Sequence, residues 1–113
     1  VEVEALTRVF GERTRKPHCA LGSVKSMIGH TMPAAGMAGF IKAVLSLYHR
    51  VLPPTLHVTE PSPRLGLSRT PFYINTAPRP WIRGSGHPRR AAVSSFGFGG
   101  SNCTLAFAAG APN

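Results

Sequence analysis

The sequence predicts a layered fold that mixes helices with short strands. Three observations carry this. The run Thr31–Arg50 is long and apolar almost all round, and a helix of that kind needs cover on more than one side. Short apolar runs such as Cys19–Val24 read as interior strands. Near the end, Ala91–Ser95 and Cys103–Ala109 flank a glycine-rich loop and read as an antiparallel hairpin.

Taken in order, Val1–Phe10 is predicted to be a helix. Val3, Leu6 and Phe10 share one face, Glu4 and Arg8 pair at i, i+4, and Gly11 takes a left-handed terminal position. Glu12–Pro17 reads as a solvated charged loop. Cys19–Val24 follows as a strand, and its end feeds a tight Ser26–Gly29 turn that carries Lys25 and His30. Thr31 is expected to cap the long helix, with Pro33 tolerated in its first turn. A lysine and a histidine thus meet at a strand-to-helix junction. The helix dipole there disfavours imidazolium, so His30 is expected to be neutral. A purely structural histidine is the alternative.

The first half of the long helix is slim, with Ala34, Ala35, Gly36, Ala38 and Gly39. Each glycine costs a helix about 1 kcal/mol against alanine, so the pair implies close backbone approach, and packing is preferred over a ligand role. Val51–Pro71 holds five prolines and reads as an extended connector. Phe72–Trp81 is expected as a strand, and Ile82–Arg90 as a Gly/Pro/Arg-rich loop. In the hairpin loop Phe96–Asn102, glycines supply unusual backbone angles. A phosphate-cradling role is the weaker reading, because such loops open a helix and this one precedes a strand.

A chain of 113 residues is at most one small domain. It does not begin with Met, and no signal peptide is evident, as expected for a piece of a longer chain. The apolar run 31–47 is too short and too interrupted to span a bilayer. Lys plus Arg is 13 against 4 for Asp plus Glu, a net charge of +9. No acid follows Glu60, whereas Arg64, Arg69, Arg79, Arg83, Arg89 and Arg90 do. This reads either as a solvated basic face or as a docking surface for an acidic partner. A nucleic-acid-binding module is a third possibility, disfavoured because the basic residues do not alternate with exposed aromatics. Cys19 and Cys103 lack metal-ligand spacing and read as buried reduced thiols.

Leu21–Gly39 (LGSVKSMIGHTMPAAGMAG) resembles the lysine–histidine motif of β-ketoacyl synthases, most closely that of type I polyketide synthases. Leu52–Leu56 (LPPTL) and Ser95–Asn102 (SFGFGGSN) resemble two further motifs of that family, in the family's order, and the similarity runs from about Val1 to Ala109. The resemblance implies a thiolase-like layered α/β/α/β/α fold, of which residues 1–113 would be the C-terminal portion only. It implies decarboxylative Claisen condensation between an acyl-cysteine and a carrier-bound malonyl-type extender. His30 matches the histidine that stabilises the developing enolate, and Lys25 the lysine that supports it. Phe98 matches a gating phenylalanine, with Gly97, Gly99, Gly100 and Asn102 shaping its loop.

The nucleophilic cysteine and a first histidine would lie upstream in the family, so this chain alone is expected to be inactive. No cofactor or metal is expected to bind directly; phosphopantetheine on an acyl carrier protein would deliver substrate. Other implied partners are the rest of the ketosynthase domain and, in the intact enzyme, a second copy as a homodimer. Neither nucleic acid nor membrane is expected, and the location would be cytoplasmic. Two alternatives stay within the resemblance. A fatty-acid-type elongating synthase is disfavoured, because Gly39 stands where bacterial elongating relatives carry a glutamate. A catalytically silent ketosynthase-like partner is the other.

Overall fold

A computed structural model describes residues 2–12 and 16–109. Val1, in the predicted first helix, and the middle of the charged loop 12–17 lie outside the described residues. The first helix, α1, spans Glu2–Phe10. Arg8 pairs with Glu4 at 2.9 Å, and Gly11 follows at φ +83°, its N–H donating to the Thr7 carbonyl. Val3 and Leu6 are half-buried. The Phe10 ring meets Phe72 edge-on at 5.6 Å, which docks α1 against one of the few buried hydrophobic side chains among the described residues.

Strand β1 is Cys19–Leu21 and pairs in parallel with β3, Phe72–Ile74. The register sets Cys19 opposite Phe72 and Leu21 opposite Ile74. The chain leaves the ladder after Leu21, not at Val24 as expected, and Lys25–Ile28 forms a one-turn helix, α2, instead of a tight turn. Gly29 ends α2 at φ +75°.

A 3-10 turn, Met32–Ala34, precedes the long helix α3, Ala35–His49. Thr31 makes no side-chain cap; its carbonyl instead accepts from Ala34 N–H, and Pro33 lies inside the 3-10 turn. Arg50 closes α3 in the left-handed conformation at φ +56°. The expected extended strand over 72–81 is split. Its second part, β4 at Arg79–Pro80, pairs antiparallel with β2, Val51–Leu52. Proline is tolerated there because the ladder is two residues long. The connector between β2 and β3 contains 3-10 turns at Pro63–Leu65 and Leu67–Arg69.

The hairpin forms as expected: β5, Arg90–Phe96, is antiparallel to β6, Asn102–Ala108. Ala91, Val93 and Ser95 face inward and their neighbours outward. The two glycines of α3 sit on this inward face. A Cβ on Gly36 would lie 2.9 Å from Ser95 Oγ, and one on Gly39 would lie 3.3 Å from Val93 Cγ1. The slim half of the helix is therefore a packing surface for the hairpin.

The other side of α3 is open. Met37, Ile41, Val44, Leu45 and Tyr48 are all exposed, Tyr48 by 78%. Leu47 and Phe72 are the buried hydrophobic residues among those described. Such a face needs a further layer, as the apolar pattern predicted. Cys103 is exposed, contrary to expectation: it lies opposite Ser95 on the inward face, but α3 packs over β5 and leaves β6 largely uncovered; Cys19 is half-buried.

Candidate functional site

The Lys–His junction is built by main-chain geometry. Strand β1 brings the chain to Gly22, and the α2 turn sets Lys25 at its start and His30 two residues past its end. Both side chains are exposed, and no hydrogen bond joins them among the described residues. The ring of His30 is fixed by its neighbour: Met32 N–H donates to His30 Nδ1 at 3.1 Å. Met32 reaches this position in the left-handed region, φ +55°, a conformation that costs a non-glycine residue about 1–3 kcal/mol. A nitrogen that accepts a hydrogen bond carries no proton, so this contact leaves Nε2 as the ring's N–H. The donor that His30 can offer is therefore Nε2–H, on an exposed residue. The device differs from the expected one, since α3 starts five residues later and acts through the intervening 3-10 turn.

The second group of proposed site residues lies on the hairpin tip. Gly97 N–H donates to Ser101 O at 2.8 Å, and a Cβ on Gly97 would meet that oxygen at 3.0 Å. Gly99 and Gly100 adopt φ +90° and +86°. This turn lifts Phe98 into solvent, 94% exposed. Asn102 opens β6 opposite Phe96 and is also exposed. The loop is followed by a strand, so the phosphate-cradle reading lacks the helix it requires.

Cys19 does not resemble a nucleophile. Burial pushes the Cys19 thiol above its ordinary pKa, which disfavours thiolate at neutral pH. His18 is exposed on the residue before it. Among the described residues no His, Cys, Asp or Glu cluster could hold a metal, and no helix is long and apolar enough to cross a membrane.

Residues outside the predicted set hold the junction in place. Ser23 N–H donates to Thr55 Oγ1 at 3.2 Å, and Lys42 Nζ donates to Ser23 O at 3.3 Å and Pro54 O at 3.2 Å. Ser26 Oγ accepts from Leu56 N–H at 2.9 Å and donates to Ser23 O at 3.2 Å. Asn75, 2% exposed, donates through Nδ2 to Leu52 O and Pro53 O and accepts from Thr55 N–H at its main-chain carbonyl. The signal available in the sequence was the LPPTL run itself, which carried no assigned role.

A parallel βαβ crossing, a Lys–His turn after its first strand, a helix packed on a glycine-tipped hairpin and an open apolar face define the C-terminal part of a thiolase-like α/β fold. A model of the family described as "Beta-ketoacyl synthase, C-terminal domain" matches residues 1–59, and the chain belongs to that family. Polyketide synthase PksL of Bacillus subtilis (strain 168) is 49% identical over 106 residues, covering 93% of this chain and 2% of that protein. Polyketide synthase PksM of the same organism is 43% identical over 114 residues, covering 93% of this chain and 3% of that protein. Among solved structures, the ketosynthase from module 6 of the bacillaene synthase from Bacillus subtilis 168 superposes with a TM-score of 0.90 at 46% identity. That match covers 98% of this chain and 20% of the ketosynthase. The chain thus spans about a fifth of the solved ketosynthase and a few per cent of the curated synthases.

Proposed function

We propose that this chain supplies the enolate-stabilising half of the condensing site in a polyketide-type ketosynthase, an acyltransferase. The observation that carries this is the exposed His30 ring at the junction, whose Nδ1 accepts from Met32 N–H and so leaves Nε2–H as its donor. In the reaction, a malonyl thioester loses carbon dioxide and the electrons of the broken C–C bond move to the thioester oxygen. The resulting enolate carbon attacks an acyl-cysteine thioester, forming a C–C bond and releasing the cysteine thiolate. A fixed donor aimed at that oxygen lowers the barrier where charge develops. His30 takes this role, and Lys25 adds a nearby positive charge.

The cysteine belongs to another part of the intact ketosynthase; Cys19 and Cys103 do not serve. Phe98, presented by Gly97, Gly99, Gly100 and Asn102, gates access to it. The substrate arrives on the phosphopantetheine arm of an acyl carrier protein, which the basic C-terminal half attracts. A cytoplasmic location and a homodimeric enzyme go with this reading. The 113-residue chain alone, with one histidine of the site and without the matched nucleophile, is inactive; the rest of the ketosynthase domain covers the open face of α3, through which the chain alone associates.

The test is His30→Ala in the intact ketosynthase. Condensation is expected to fall about 100-fold or more, the scale of one lost oxyanion donor, while acyl transfer to cysteine continues. Equal loss of both steps would refute the role. An unmodified enzyme that takes up no acyl group would instead identify a silent partner.

A further inference from the structure

The Lys25–His30 turn is exposed and short, yet its chemistry requires placement to within about 1 Å, since a misplacement of that size costs on the order of 100-fold. The α2 turn has too few internal hydrogen bonds to provide this alone. What holds it comes from distant segments that converge on Ser23, two residues before Lys25. The Ser23 N–H is bound by Thr55 Oγ1, and its carbonyl by both Lys42 Nζ and Ser26 Oγ. Lys42 Nζ also grips Pro54 O, and Leu56 N–H binds Ser26 Oγ. The connector is therefore attached to the turn at both main-chain and side-chain groups.

The connector is itself firmly placed. Pro53 and Pro54 restrict its backbone, and buried Asn75 holds Leu52, Pro53 and Thr55. Thr55 is 8% exposed. A Cβ on Gly22 would stand 2.7 Å from its hydroxyl, so the turn and the connector meet with no spare room. Burial also lowers the Lys42 pKa.

We propose that Thr55 and Lys42 are positioning residues: by holding the Ser23 main chain against the Pro54–Thr55 connector, they set where Lys25 and His30 stand for condensation. The inference rests on the function proposed above. It assigns no contact with substrate to either residue.

The experiment uses the intact ketosynthase with Thr55→Val, Thr55→Ser and Lys42→Met. Cysteine acylation, kcat and KM for condensation with a malonyl-carrier substrate, and the thermal midpoint are measured for each. Thr55→Val removes the acceptor with little change of volume, and Lys42→Met keeps the stem while removing the donor. Each is expected to lower the condensation kcat about tenfold, part of the loss that a full misplacement causes. KM and the acylation rate should stay unchanged, and Thr55→Ser should restore kcat. If Thr55→Val does not fold, Lys42→Met decides alone. Wild-type condensation in the folded variants would overturn the inference, as would an equal fall in acylation and condensation. His30→Ala, run beside them, separates the two claims. Unimpaired condensation in that variant refutes the functional reading, whereas an inactive His30→Ala beside a fully active Thr55→Val refutes only the positioning.

Discussion

The Lys–His junction and the hairpin tip both carry proposed site residues, but they are held in opposite ways. The junction is tied by hydrogen bonds to residues 19 to 32 positions away, through Lys42, Leu56 and Thr55. Beyond its ladder, the hairpin tip is held by short-range main-chain bonds within the loop 97–101, and it exposes Phe98 almost completely. The difference fits the demands placed on each. A donor to a developing charge must already be in place when the charge appears. The proposed gate would have to move, and Gly99 and Gly100, at φ near +90°, stand where only glycine turns without strain.

The largest expected contrast is between His30→Ala and Phe98→Ala in the intact enzyme. The first removes the donor and costs about 100-fold or more in condensation. The second should change acylation and condensation by less than that and shift the range of acyl chains accepted, as measured across a substrate series. Equal losses in condensation alone would end the distinction between donor and gate.

Next in size are two glycine substitutions. Gly22→Ala places a methyl 2.7 Å from the buried Thr55 hydroxyl and is expected to cost about 1–3 kcal/mol by overpacking, with condensation falling alongside. Gly100→Ala meets open space at φ +86° and costs about 1–3 kcal/mol of local backbone strain. Its effect should appear in gating, with the decarboxylation of malonyl substrate unchanged. Thermal unfolding paired with separate assays of the two half-reactions checks both.

Smaller effects follow from burial and charge. An alkylating reagent at neutral pH should label exposed Cys103 well before Cys19, as peptide mapping would show. Because burial raises the Cys19 pKa, its thiol form is favoured by folding. That contribution is present below the unfolded-state pKa and is lost as pH rises through the folded value, so stability should decline at alkaline pH and a Cys19→Ala variant should lose this decline. Carrier-protein binding to the basic half should be weak and should vanish with added salt. Tight, sequence-dependent binding to DNA would instead favour the nucleic-acid reading.

The local elements were legible in the residues alone. The i, i+4 pair and apolar face marked α1, the uniform apolarity of 31–50 marked an interior helix, and the glycines between 91–95 and 103–109 marked the hairpin. Each depends on neighbours close in the chain, where period and turn chemistry are decisive. The resemblance of three ordered motifs pointed to the family to which the chain belongs. Packing settled the places where local pattern yields to distant partners. Strand β1 stops at Leu21 because β3 offers only a three-residue parallel ladder. The run 72–81 splits because β4 answers to β2. Thr31 gives up the cap to a 3-10 turn whose Met32 N–H serves His30. Thr55, Lys42 and Asn75 gained their places through bonds spanning 12 to 32 residues. No periodicity records such pairings, because they arise only when separate segments are packed together.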